Sequence, residues 1–144
     1  MRYQRFDDTY VVRLEKGEEV VNSLKKLCDK ENIKLASIEG LGATNHVVVG
    51  LYDLDQKVYH KKEYNEAYEI TSLIGNISRM NDDSYLHIHI NLADENMKTF
   101  GGHLYECVIS ATCELFIRVI NGEVNRFKDE DSGLNLYDLK EGLC

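Results

Sequence analysis

The sequence predicts an α+β fold, a mostly antiparallel β-sheet with one or two helices packed on a face. Three observations carry this. Sustained helical periodicity is confined to one early segment; from Lys34 onward, short runs rich in β-branched and aromatic residues follow one another between Gly and Asp/Asn clusters. The connections between those runs are short and turn-like, which suits antiparallel hairpins and not βαβ crossovers. At 144 residues and 43% hydrophobic, the chain has the size of one globular domain, taken here as residues 1–144.

The elements follow in order. Thr9 to Leu14 reads as a strand ended by Glu15-Lys16-Gly17. Glu18 to Asn32 reads as a helix. Val20, Val21, Leu24, Leu27 and Cys28 recur at helical spacing, Glu18 and Glu19 occupy the first turn, and Lys25, Lys26 and Lys30 come later, as the helix dipole prefers. Strands are then expected over Leu35–Leu41, Asn45–Tyr52, Val58–Lys62, Ala67–Ser78, Tyr85–Leu92, His103–Ser110 and Cys113–Ile120. The tail from Gly122 is polar until Leu134, Leu136 and Leu139, which suggest a short final strand.

Composition narrows the function. The net charge of −8 disfavours nonspecific attraction to a phosphate backbone, because that attraction comes mainly from Lys and Arg displacing counterions. Lys25-Lys26 and His60-Lys61-Lys62 are too short to form a nucleic-acid signature. The first residues carry no apolar core of signal-peptide length, and no apolar run approaches a membrane span, so a cytoplasmic protein is expected. Cys28, Cys107, Cys113 and Cys144 show neither a disulfide framework nor a zinc-ribbon spacing and are read as small reduced side chains. No P-loop, Gly-x-Gly-x-x-Gly pattern or Ser-His-Asp order is present.

The informative motif is His87-Ile88-His89, followed fourteen positions later by His103 in Gly101-Gly102-His103. In Tyr85 to Leu92 the even positions are aliphatic and the odd ones are Tyr, His, His and Asn, so a strand presents both imidazoles on its polar face. Taken alone, two such histidines read first as residues tolerated on a solvated or subunit-facing surface. If the next strand is a neighbour, His103 joins them, and three neutral nitrogens with a fourth position left for water suit zinc. The paired glycines permit a tight or close-packed backbone just before His103.

Glu106 falls on the opposite face from His103 in a regular strand and is a poor fourth ligand unless a bulge intervenes. Glu114 is read as partly buried and paired with Arg118. Tyr85, Asn91, Tyr105 and Glu69 are the polar residues expected around the metal; His46 and His60 are read as structural or solvent-facing.

Taken together, the helix after the first strand, the Ile38-Glu39-Gly40-Leu41-Gly42-Ala43 turn, the Tyr68 to Ser78 strand, and His87-Ile88-His89 with Gly101-Gly102-His103-Leu104 resemble the PPC family, a domain shared by plants and prokaryotes. The resemblance spans roughly residues 8 to 140. It implies an antiparallel sheet assembled as a homotrimer and, in stand-alone prokaryotic members, a metal site described as zinc on three histidines that match His87, His89 and His103. Plant members follow AT-hooks, whose Arg-Gly-Arg-Pro core this proline-free chain cannot contain, and Ala67 stands where they carry Arg before Phe-Glu-Ile. DNA binding by the isolated chain is therefore not expected. Three functions stay open: a metal-binding trimer that binds or acts on a small molecule, a DNA-associated module working through protein contacts, and a purely structural metal site.

Overall fold

In the computed structural model, which describes residues 1–140 and Gly142, there are nine strands and a single helix among the described residues. The strands are β1 (Arg2–Phe6), β2 (Thr9–Glu15), β3 (Ala36–Asp53), β4 (Val58–Tyr64), β5 (Tyr68–Met80), β6 (Asp83–Ala93), β7 (Thr99–Val119), β8 (Arg126–Lys128) and β9 (Asn135–Tyr137); the helix α1 covers Val20–Glu31. All strand pairings are antiparallel. No helix among the described residues is long and apolar enough to cross a membrane.

The helix forms where the periodicity places it, but its first turn differs from expectation. Glu18 and Glu19 precede it. Glu19 is the N-cap, its carboxylate accepting from Val21 N at 3.0 Å and Asn22 N at 2.7 Å, and also from Cys107 N of β7 at 3.1 Å. Glu18 instead receives the N-terminal ammonium and the Glu15 amide. Asn32 closes the other end in the left-handed conformation, φ 51°. Between these caps Val20, Leu24, Leu27 and Cys28 are buried into the same core as Ile38, Leu73, Ile88, Leu104 and Leu115 of the sheet.

Two pairs of expected strands are each one long strand. Leu35–Leu41 and Asn45–Tyr52 merge into β3, and His103–Ser110 and Cys113–Ile120 merge into β7. The glycines and small residues between them bend the strands without ending them. Register shifts mark those bends, between Gly40 and Gly42, Gly42 and Thr44, and Thr44 and His46 of β3. The short strand β1, absent from the sequence expectation, pairs with β2; the tail supplies a two-stranded hairpin, β8–β9, where one final strand was expected.

The main sheet runs β1-β2-β7-β6-β5-β3-β4, and an additional β7–β3 pairing joins β7, β6, β5 and β3 into a closed ring. One row of paired residues crosses the sheet and runs round the outside of the ring: Val11, Phe116, Glu39, Ile74, His89, His103, Gly50 and Lys61. The aliphatic even positions of β6 face inward, with Ile88, Ile90 and Leu92 nearly inaccessible. Cys28, Cys107 and Cys113 are buried and free, and burial pushes their thiols up to about 12, 11 and 12, so they are inert at neutral pH. Cys144 lies outside the described residues.

Candidate metal centre

Strand alternation puts His87 and His89 on the outer face of β6, and the β6–β7 ladder sets His103 directly opposite His89. The approach depends on glycine. A Cβ on Gly101 would run into the carbonyl oxygen of Ile90, and one on Gly102 would lie 2.8 Å from the carbonyl oxygen of Gly50, so β7 can lie between β6 and β3 at this height only without side chains there. The close-packed backbone expected from the paired glycines is therefore present, inside the strand and not in a turn before it.

The three rings form a triangle with centroid separations of 5.2, 5.3 and 5.5 Å. One nitrogen from each lies within 4.8 Å of the others. Tetrahedral zinc at its usual Zn–N length needs nitrogens about 3.3 Å apart, so a bound ion would draw the widest pair in by no more than about 1.5 Å, a matter of small side-chain rotations. His103 Nδ1 is the one buried side-chain nitrogen or oxygen without a hydrogen-bond partner among the described residues. Leaving such an atom unsatisfied is costly, and metal coordination is one way a cluster of imidazoles is satisfied. The donor set fits a divalent ion of zinc type.

Electrostatics keep the site ready for a cation. Burial pushes His103 down to about 4, helped by the neighbouring His87, His89 and Lys61. Burial also lowers His87, with Arg126 and His89 adding to the effect. Both imidazoles are thus neutral, and able to coordinate, at physiological pH.

The triad forms part of the wall of a cavity of about 460 Å³. Tyr59 of β4 stands 5.2 Å, centroid to centroid, from His103 and packs on Tyr52 at 4.8 Å. Tyr85 contributes a further aromatic wall. The β8–β9 hairpin and the segment around it supply Arg126, Leu134, Asn135 and Leu136. The Arg126 guanidinium donates to Ser78 Oγ (2.8 Å), to the Asn135 carbonyl (2.7 Å) and to Asn76 Oδ1 (2.9 Å), and it stacks on Tyr85 and Tyr137.

The expected neighbours sort into two groups. Tyr85 is at the cavity, and Tyr105 lies 5.1 Å from the His103 ring beneath Lys61 without lining the cavity. Asn91 instead bonds Thr71, and Glu69 sits opposite Ala93 at the end of β6. A bulge does intervene beside Glu106: Val48 pairs with Glu106 but Val49 with Leu104, leaving Tyr105 as the extra residue. Leu104 and Cys107 are buried while Glu106 is exposed. Glu106 therefore faces outward as His103 does, yet its carboxylate meets His46 at 3.3 Å and not the triad.

His46 is half-buried between Asn65, Glu63 and Glu106, a structural role as expected. His60 is exposed beside Asp53. Glu114 is exposed, pairs across the sheet with Arg13 and makes no ion pair with Arg118 among the described residues, because four residues along a strand put the two on one face but about 13 Å apart. Sequence reading missed Tyr59, Arg126 and Asn135. The alternation of Arg126-Phe127-Lys128 and Asn135-Leu136-Tyr137 around the turn-forming Asp129 to Gly133 was the available hairpin signal.

The profile of the Plants and Prokaryotes Conserved (PCC) domain matches residues 1–121. Among solved structures, a protein from Bacteroides thetaiotaomicron, provisionally named DNA binding, is 31% identical, with 95% of this chain and 96% of that chain covered and a TM-score of 0.93. A metal-containing protein from Archaeoglobus fulgidus is 32% identical over 95% and 98% of the two chains, TM-score 0.86. A plant- and prokaryote-conserved (PPC) protein from Pyrococcus horikoshii is 30% identical over 97% and 95%, TM-score 0.85. No curated protein matches the sequence.

The depressed His103 sets a pH dependence in the chelated, metal-free protein. Its unfolded imidazole takes a proton near 6.5, whereas the folded one resists until about 4, so the native state is favoured fully above 6.5 and loses that advantage as pH falls toward 4. Thermal melts of EDTA-treated protein should show Tm falling across this window, with a smaller fall in His103→Gln; equal slopes for the two proteins would contradict the assignment.

Proposed function

The chain belongs to the Plants and Prokaryotes Conserved (PCC, also written PPC) domain family, and we propose that it is a homotrimeric zinc protein in which His87, His89 and His103 hold one ion per chain. The convergence of three imidazoles, one with an orphaned buried nitrogen, carries this reading. The metal-containing relative from Archaeoglobus supports it. When bound, such an ion supplies Lewis acidity and an open ligand position, which the cavity beside the triad leaves accessible to a small molecule. The surrounding residues divide the remaining work: Tyr52, Tyr59 and Tyr85 wall the site, and the β8–β9 hairpin limits solvent access from one side.

The outer face of the sheet supports self-association. Val11, Phe116 and Ile74 are exposed along the row that leads to the triad, and Phe6 and Leu41, each more than half exposed, lie on neighbouring positions of the sheet. An apolar surface of this kind is ordinarily covered, and a trimer of identical chains would cover it. A DNA-associated role has the provisional name of the Bacteroides relative in its favour. Against it stands the charge of −8, which opposes phosphate contacts.

Three outcomes are expected. Untagged protein refolded or grown with zinc should carry about one metal per chain by elemental analysis, and His87→Ala with His89→Ala should abolish it. Removing the metal with a chelator while Tm stays unchanged would exclude a purely structural ion; near-zero occupancy in the wild type would exclude the centre altogether. Light scattering should give three times the chain mass, reduced to that of one chain by Phe116→Glu with Ile74→Glu. Titration of duplex DNA at two salt concentrations should show no binding; affinity that falls steeply with salt would instead establish the DNA-associated role.

A further inference from the structure

Arg126 carries a charge that the metal centre does not explain. Its guanidinium is fixed by three neutral acceptors, Ser78, Asn76 and the Asn135 carbonyl, and by the faces of Tyr85 and Tyr137. Among the described residues no carboxylate forms an ion pair with it, although Asp and Glu outnumber Lys and Arg by 25 to 17. A fixed guanidinium with neutral partners keeps its full positive charge and, of its five N–H groups, has two beyond those three bonds. Arg126 also lines the cavity that holds the triad, and the segment bearing it lies beyond residues 1–121, the part that matches the family profile.

We infer that Arg126 makes this cavity a binding site for a small organic carboxylate, held at its charged end by the guanidinium and along its body by the aromatic and aliphatic walls. The sign follows from the charges: no carboxylate lines the cavity, so the guanidinium there attracts an anion. The class follows from the walls. Leu51, Leu134, Leu136, Tyr52 and Tyr59 offer an apolar lining, which suits a monoanion with a hydrocarbon or aromatic body; a phosphate would need more donors than the two remaining N–H groups provide. The volume of about 460 Å³ is that of a small-metabolite pocket. A metal on the triad would add positive charge to the same cavity. The inference deepens the metal-centre reading, on which the importance of this cavity rests.

A merely structural Arg126 would tie the hairpin to β5 and bind nothing, so the test reads the guanidinium itself. The full-length protein, 15N-labelled and loaded with zinc, is titrated with butyrate and benzoate while the Arg126 Nε–Hε resonance is followed, assigned by its loss in Arg126→Lys. Metal content is measured in every sample. Millimolar carboxylate should shift this resonance, and calorimetry should show affinity at least about tenfold weaker in Arg126→Lys and Arg126→Gln. A shift that persists in protein found to hold no metal supports the carboxylate site while the metal reading fails. No shift at tens of millimolar in fully metallated protein overturns the carboxylate site and leaves the metal reading intact. Chloride or inorganic phosphate acting as strongly as benzoate overturns the carboxylate assignment. Because the resonance is read in the wild type, a variant that unfolds the hairpin does not decide the outcome.

Discussion

The two-sided pairing of β7 is the constraint on which the rest of the structure depends. Its C-terminal half pairs with β2 on one edge and β3 on the other; its N-terminal half keeps β3 and exchanges β2 for β6. This exchange closes the ring, and it places His103 beside His89. From Leu104 to Ala111, where neither β2 nor β6 lies alongside, the segment before the helix meets the edge away from β3: Gly17 N donates to the Ile109 carbonyl and Ile109 N to the Glu18 carbonyl. The Glu19 carboxylate, which caps the helix and also takes the Cys107 amide, links the helix to the same strand.

Closure imposes a steric condition that falls on Gly101 and Gly102. Where three strands meet at the height of the triad, a methyl group on either residue would meet a neighbouring carbonyl. His103 follows these glycines directly and lies among the rings of His87, His89, Tyr59 and Tyr105; burial holds its pKa down, and its Nδ1 has no hydrogen-bond partner. The imidazole that is desolvated there is the one with most to gain from a metal.

The cavity itself comes from elements remote in the chain. β4 brings Tyr59, and the tail folds back so that Arg126 bonds Ser78 and Asn76 of β5, Tyr52 donates to the Ser132 carbonyl at 2.7 Å, and Lys57 reaches the Glu130 carbonyl at 2.7 Å. These polar ties hold a hairpin whose Phe127 and Leu136 stay exposed and outside the core. An isolated two-stranded hairpin is marginal in water, so its position depends on these contacts.

The sequence by itself determined the fold class, the helix, the inward aliphatic face of β6 and the outward pair His87 and His89, because each rests on periodicity within one segment. It also pointed to His103, through the glycines that precede it. Only the tertiary structure decided that β3 and β7 each run unbroken through their bends, that a bulge turns Glu106 outward to His46, that Glu114 stands free of Arg118, and that Arg126 of the tail reaches the triad's cavity. The physical reason is the same in each case. Periodicity records which way a side chain points along its own strand, whereas register, bulges and the return of a distant hairpin depend on contacts between segments far apart in sequence.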